Sequence, residues 1–370
     1  MSSSDWLNTE LTHRVISFFS QLYTGIPTVI ICSEFLVAKI IKKIVFLQIV
    51  TRFFAYLRIN SYFCRGINNA MPKVTIILPI YNVAPYLDET FGSIAQQTLK
   101  DIEIIAVNDG STDNSEEIIK KWQQQDSRII SFFQENQGQS AARNLALKHA
   151  KGQYIYMMDS DDKLTDPEAL QTCYDYSERN KADFIFFDGE SFSEEGVHRI
   201  SRNTKRTHLV DENRAYNGEY LLNLTLDTKT HNCVVWLLFI RKDFLDNTGI
   251  LFYEGIIHED ELFTTVLALS SNNIFCLKGN FVGHRIRQAS TMTTNFSKRN
   301  LNCYLTVADE LLKFRRTPII HKFLRYTLSK VFYTGHLIPF KDKPAVFWRA
   351  LRSGYMKYIG LKSSLVFWLK

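Results

Sequence analysis

Residues 74–158 alternate short apolar, β-branched runs with amphipathic repeats, and the runs end in polar turns. The runs are 74–78, 102–107, 128–133 and 153–158. The first stops at Pro79, the second at Asn108-Asp109-Gly110-Ser111 and the last at Asp159-Ser160-Asp161-Asp162. Between them Leu87, Phe91 and Ile94, and then Ile118, Ile119 and Trp122, recur at helical spacing, and 138–150 reads as a third helix. A strand that is apolar without interruption is buried on both faces, which requires helices above and below a parallel sheet. The pattern therefore predicts an α/β fold with a doubly wound sheet. Ligands of such sheets bind outside the carboxyl ends of the strands, and the polar motifs of this chain fall there.

A chain of 370 residues has room for a catalytic core plus appendages. Its net charge of +6 is carried by the ends: residues 1–70 hold 7 basic and 3 acidic side chains and 341–370 hold 7 and 1, leaving 30 basic and 34 acidic between them. A nucleic-acid groove would be basic through the core, whereas basic ends suit an anionic lipid surface. Residues 26–50 are apolar, but Glu34, Lys39, Lys42 and Lys43 interrupt them before the roughly 18–20 clean residues that a spanning helix needs. Residues 51–58 mix arginine with aromatics, as interfacial helices do. Residues 1–70 are thus expected to be an amphipathic helical extension lying in the membrane plane, or else helices packed on the core or on a second copy of the chain. Asn68-Asn69 reads as a linker. The expected divisions are 1–70, a core domain at 71–295 with halves 71–165 and 166–295, and a basic, aromatic helical region at 296–370. No secretory signal is evident, which predicts a cytoplasmic protein peripheral on the inner face of the membrane. The six cysteines form no C-x-x-C pair and no histidine stands at ligand spacing, so neither a disulfide framework nor a zinc site is indicated.

The strand-end motifs carry the chemistry. Asp109 could accept hydrogen bonds from a base or ribose, with Gly110 permitting close backbone approach; a plain structural turn is the alternative. Residues 138–144 open a helix whose free amides, with Arg143, could face a diphosphate. Asp159, Asp161 and Asp162 repel one another unless a cation neutralises them, and Mg²⁺ or Mn²⁺ bridging carboxylates to substrate phosphates does this well. Asp166, before Pro167, is expected to cap the next helix. The chain has neither G-x-G-x-x-G after the first strand nor G-x-x-x-x-G-K-[ST], which disfavours dinucleotide oxidoreductases and P-loop NTPases.

Taken in order, VTIILPIYN at 74–82, NDGSTD at 108–113, NQGQSAARN at 136–144 and MDSDD at 158–162 resemble glycosyltransferase family 2 with its GT-A fold. The resemblance implies a doubly wound mixed sheet with helical N- and C-terminal extensions. It places Pro79, Tyr81, Asn82, Asp109, Arg143, Asp159 and Ser160 around a nucleotide-sugar donor, and makes Asp161, with Asp159 beside it, the ligand of Mn²⁺ or Mg²⁺. HEDELF at 258–263 is similar to the family's E-D motif, which implies that Asp260 is the general base, supported by His258 and Glu259; read by itself, the segment is equally an acidic first turn of a helix. HRIRQASTM at 284–292 resembles Y-R-x-R-x-x-S-x-M, which implies Arg285, and Arg287 with it, near the diphosphate. Around Trp236, an expected acceptor or supporting residue, Leu238 stands where relatives carry a lysine. No Q-x-x-R-W occurs, which argues against a processive synthase.

The expected function is inverting transfer of a sugar, from a UDP-hexose or UDP-N-acetylhexosamine, to a glycan or lipid-linked acceptor in capsule, exopolysaccharide or lipopolysaccharide synthesis. The expected partners are that donor, that acceptor and a membrane surface, with no nucleic acid and with homo-oligomerisation open. A nucleotidyltransferase acting on sugar phosphates would use a similar diphosphate site but leave Asp260 without a role, and a catalytically idle membrane scaffold would not need the aspartates.

Overall fold

The computed structural model of the protein describes residues 71–193, 205–287 and 296–369; the expectations for residues 1–70 lie outside them. Every residue of β1 (Val74–Ile80) is buried because the strand sits inside the sheet. It pairs in parallel with β2 (Ile102–Asp109) on one side and β4 (Tyr154–Met157) on the other, and β3 (Ile129–Gln134) lies outside β2. Three helices make the parallel crossovers: α1 (Ala84–Ala95), α2 (Ser115–Gln125) and α3 (Gln139–His149). Beyond the short β5 (Lys163–Leu164) come α4 (Ala169–Asn180), β6 (Phe184–Ser193), α5 (Gly218–Asp227), β7 (Leu238–Arg241), α6 (Lys242–Thr248), α7 (Glu259–Ser270) and β8 (Ile274–Ile286). The sheet order is β3-β2-β1-β4-β7-β6-β8-β5, with β7 antiparallel to both neighbours and β5 antiparallel to β8. The sheet is therefore mixed, with its parallel block at the half that carries the strand-end motifs.

Strand periodicity divides the core between two faces. Val74, Ile76, Leu78 and Ile80 meet Leu87, Phe91 and Ile94 of α1 with Leu170 and Cys173 of α4. Ile77, Ile105, Val107, Ile155 and Met157 meet Ala142 and Ala146 of α3 with Phe263 and Leu267 of α7. Each large apolar side chain so enclosed contributes about 1.5–3 kcal/mol. The small alanines of α3 let that helix lie close over β1 and β2.

Three local details differ from the sequence expectations. First, β1 continues past Pro79 to Ile80, because the proline costs one ladder bond where the sheet is already opening and its carbonyl accepts the Ser160 hydroxyl at 2.7 Å. Second, Asp166 does not cap α4: the helix begins at Ala169, and the Asp166 carboxylate accepts the Glu168 amide at 2.9 Å in the turn before it. Third, the polar Glu103 inside β2 is 6 % exposed, and its carboxylate accepts Thr75 Oγ1 and the amides of Lys151 and Gly152.

The C-terminal helices are α8 (Lys298–Phe314), α9 (Pro318–Thr334), α10 (Lys343–Arg352) and α11 (Leu361–Leu369). Leu301, Leu305, Phe323, Leu324, Val346 and Phe367 share one core with Leu222 and Leu226 of α5 and with Leu262 and Val266 of α7. The expected division at residue 295 therefore does not mark a separate core. The same helix, α7, packs on the sheet with one side and on the C-terminal bundle with the other.

Candidate active site

The carboxyl ends of β1, β2 and β4 supply the polar residues singled out above. Leaving β1, Asn82 takes a left-handed backbone (φ 51°) and its side-chain oxygen accepts the Thr112 amide at 2.8 Å, while Tyr81 stays 47 % exposed. Leaving β2, Asp109 is buried and accepts Gln134 Nε2 at 2.7 Å and the Gln137 and Gly138 amides at 2.9 Å each. Of the amides of 138–144, that of Gly138 is thus engaged by Asp109. Gly110 has φ 70°, and an added Cβ would lie 2.7 Å from the Asn136 amide nitrogen. Ser160, expected beside the nucleotide sugar, is turned inward: it is 5 % exposed and its hydroxyl donates to the Pro79 carbonyl.

Arg143 joins the donor-side motifs to residues more than a hundred positions away. Its guanidinium, 2 % exposed, bonds Asp159 at 3.0 Å, Asp260 at 2.8 Å and Glu259 at 3.3 Å. Enclosed this way, the guanidinium faces three carboxylates rather than open solvent, so any influence on a donor passes through Asp159 and Asp260. Burial works against its charge, but the carboxylates outweigh burial and raise its pKa further. The Asp260 carboxyl is pushed up to about 7, first by burial and then by the charges of Glu259 and Asp159, against the opposing pull of Arg143. α7 delivers Glu259 and Asp260 in its first turn, after His258 takes a left-handed backbone (φ 69°). His258 stacks on Tyr304 of α8, and its Nε2 lies 3.1 Å from Asn300 Nδ2.

The Asp159–Asp162 loop is gripped from β8. The fully buried Asp162 side chain meets His284 Nδ1 at 3.0 Å and accepts the Arg285 amide at 2.8 Å. Arg285 donates to the Asp161 carbonyl at 2.9 Å, pairs with Glu89 and lies over the Tyr86 and Phe192 rings. Arg287 pairs with the Asp161 carboxylate at 2.6 Å. Trp236 is buried and stacks on His284 with ring centroids 5.0 Å apart, so it supports that imidazole and offers no open ring to an acceptor. His284 is the functional candidate the sequence reading passed over, its signal being the histidine that precedes Arg285; Asp162 was read there with Asp159 and Asp161 as a cation-binding cluster.

The ligand atoms of Asp159, Asp162 and His284 lie within 4.8 Å of one another, whereas Asp161 is outside that group. Two carboxylates with one imidazole suit Mn²⁺ more closely than Mg²⁺. Burial and the charges of Asp159 and Asp161 push the Asp162 carboxyl up, although His284 counters them, so added positive charge would be welcome there. The donor set therefore fits a divalent cation.

Residues 75–249 match the sequence profile of Glycosyl transferase family 2. Glycosyltransferase GlyA of Streptococcus pneumoniae serotype 4 is 44% identical over 122 residues, covering 33% of this chain and 17% of that protein. Glycosyltransferase GlyG of the same organism is 30% identical over 228 residues, covering 60% of this chain and 74% of that protein. The chain therefore spans most of GlyG but only a small part of GlyA. Among solved structures, residues 1–349 of S. aureus TarS in complex with UDP-GlcNAc superpose with a TM-score of 0.60 over 80% of this chain and 83% of that one, at 19% identity.

Proposed function

The chain belongs to glycosyl transferase family 2 and has the GT-A fold, and from that premise we propose that it transfers a sugar from a nucleotide diphosphate donor to a hydroxyl of a bacterial surface glycan by an inverting single displacement. One observation carries the reading: Arg143 holds Asp159 of the donor-side loop and Asp260 of α7 at 3.0 and 2.8 Å, so the motif that would meet the diphosphate and the candidate base border one site. The UDP-GlcNAc complex of TarS supports uridine as the base and a hexose or N-acetylhexosamine as the sugar.

In this mechanism Asp260 takes the proton of the acceptor hydroxyl. The oxygen forms a bond to the anomeric carbon as the bond to the diphosphate breaks on the opposite side, which inverts the configuration and releases the nucleoside diphosphate. A base whose pKa is near 7 balances availability against strength, and such a base contributes on the order of 10²–10⁴-fold. Asp159, Asp162 and His284, with Asp161 beside them, would hold Mn²⁺ or Mg²⁺, which as a Lewis acid stabilises a departing diphosphate. Arg285 and Arg287 fix the loop on which those carboxylates stand, and Asp109 fixes the entry to α3.

The acceptor is proposed to be lipid-linked and the protein peripheral on the inner face of the membrane. Phe340, Trp348, Leu361 and Leu365 in the C-terminal helices and the turn before α10 are 50–77 % exposed, with Lys341, Arg352 and Lys362 among them, as an interfacial surface requires. Among the described residues no helix is long and apolar enough to cross a membrane.

The reading is tested by incubating the protein with Mn²⁺ and a panel of nucleotide sugars, with and without lipid-linked acceptor extract, and following nucleoside diphosphate release. Release from one donor, stopped by a chelator and by Asp161→Ala, is expected. No release and no donor binding across the panel would overturn it.

A further inference from the structure

A second cluster of mixed donors lies away from the donor-side loop. His231 and Cys233 sit in the segment between α5 and β7, and Glu261 is the third residue of α7. Their ligand atoms, one nitrogen, one sulfur and one oxygen, all lie within 4.8 Å of one another. His231 Nε2 and Glu261 Oε2 are both buried, neither has a hydrogen-bond partner, and they face each other at 3.5 Å. A charged imidazole and a carboxylate free to pair would close to about 2.7–2.9 Å. Leaving both apart in a buried place costs about 1–3 kcal/mol for each unsatisfied group. A tetrahedral ion with arms of about 2.0–2.1 Å to nitrogen and oxygen sets those two atoms about 3.4 Å apart, close to the separation seen. The surroundings fix the donors: Phe323 and Tyr326 of α9 stand edge-on to the His231 ring at 5.4 and 6.4 Å, and Arg206 Nη1 donates to the Asn232 carbonyl at 2.8 Å.

We propose that His231 Nε2, Cys233 Sγ and Glu261 Oε2 bind one Zn²⁺, with water at the fourth position. The mixed nitrogen, sulfur and oxygen set suits zinc, and the thiol releases its proton to solvent on binding. The ion ties the segment before β7 to the first turn of α7 and so braces that turn from the side opposite Arg143.

The test uses the full chain without a polyhistidine tag. Elemental analysis of the purified protein is expected to give about one zinc per chain. After zinc removal, titration with Co²⁺ is expected to give the strong visible bands of tetrahedral cobalt and a thiolate-to-cobalt charge-transfer band. Cys233→Ser should lose the charge-transfer band, and His231→Gln should weaken zinc binding by about 100-fold or more. Asp159→Asn should keep both bands, which separates this site from the donor-side loop. A protein that is zinc-free and gives no charge-transfer band with Co²⁺, or a band that survives Cys233→Ser, would overturn the assignment.

Discussion

Replacing Arg143 by methionine removes a cation bonded to three carboxylates while keeping most of the side-chain volume. Asp159, Asp260 and Glu259 are 23 %, 24 % and 11 % exposed, so water screens them poorly. Breaking a buried ion pair by deleting one partner costs about 3–5 kcal/mol, chiefly because the other charge is left uncompensated. The loss depends on pH. Asp260 already has its pKa raised to about 7 with the guanidinium present, and without it the carboxyl rises further. A carboxyl raised in the folded state binds more protons there than in the unfolded chain, so stability falls as pH climbs from the unfolded value towards the folded one. Arg143→Met should therefore lose least at pH 5.5, where Asp260 is protonated in both proteins and needs no counter-charge, and up to the full 3–5 kcal/mol at pH 8.5, where only the parent can ionise it against a guanidinium, a fall in thermal midpoint of about 5–15 °C. Midpoints at both pH values, read by circular dichroism, check this. Equal losses at pH 5.5 and 8.5, or a loss under about 1 kcal/mol at pH 8.5, would show that the guanidinium does not compensate these carboxylates.

Two further outcomes follow from the same geometry. Asp260→Asn keeps the volume and a contact to Arg143 but cannot take a proton, so transfer should fall by about 10²–10⁴-fold or more with donor affinity retained, as measured by single-turnover kinetics and calorimetry; in the parent the rate should rise with pH and level off above about 7, and a profile flat down to pH 5 would remove Asp260 as the base. Gly218→Ala should destabilise although alanine is the better helix former, because its Cβ would stand 1.7 Å from the Ala268 carbonyl oxygen and force α5 away from α7; a loss of about 1–3 kcal/mol in denaturant melts is expected, and an unchanged midpoint would show that the two helices separate freely there.

The parallel block β3-β2-β1-β4 was legible because its information is local. A fully buried strand is mostly apolar, with an exception such as Glu103 that finds its own partners, the amphipathic helices repeat at 3.6 residues, and Asp109 and Asp159 fall at strand ends wherever the strands end. The same locality made Asp260 visible as a motif, though equally as an acidic helix start. The position of β7 between β4 and β6 was not legible, since pairing partners far apart in the chain leave no periodic trace. Nor was the burial of Arg143, which looks in sequence like any arginine near a helix start. The histidine, cysteine and glutamate of the proposed zinc site defeat a search by ligand spacing, because Glu261 reaches His231 and Cys233 only when α7 folds against the segment before β7. What the sequence by itself determined was the fold class and the residue types at the strand ends, since periodicity and turn chemistry are properties of neighbouring residues. What only the tertiary structure decided was which charges face one another: Arg143 against Asp260, His284 against Asp162 and Arg287 against Asp161. Electrostatic energy depends on distance in space and on exclusion of water, and neither is written along the chain.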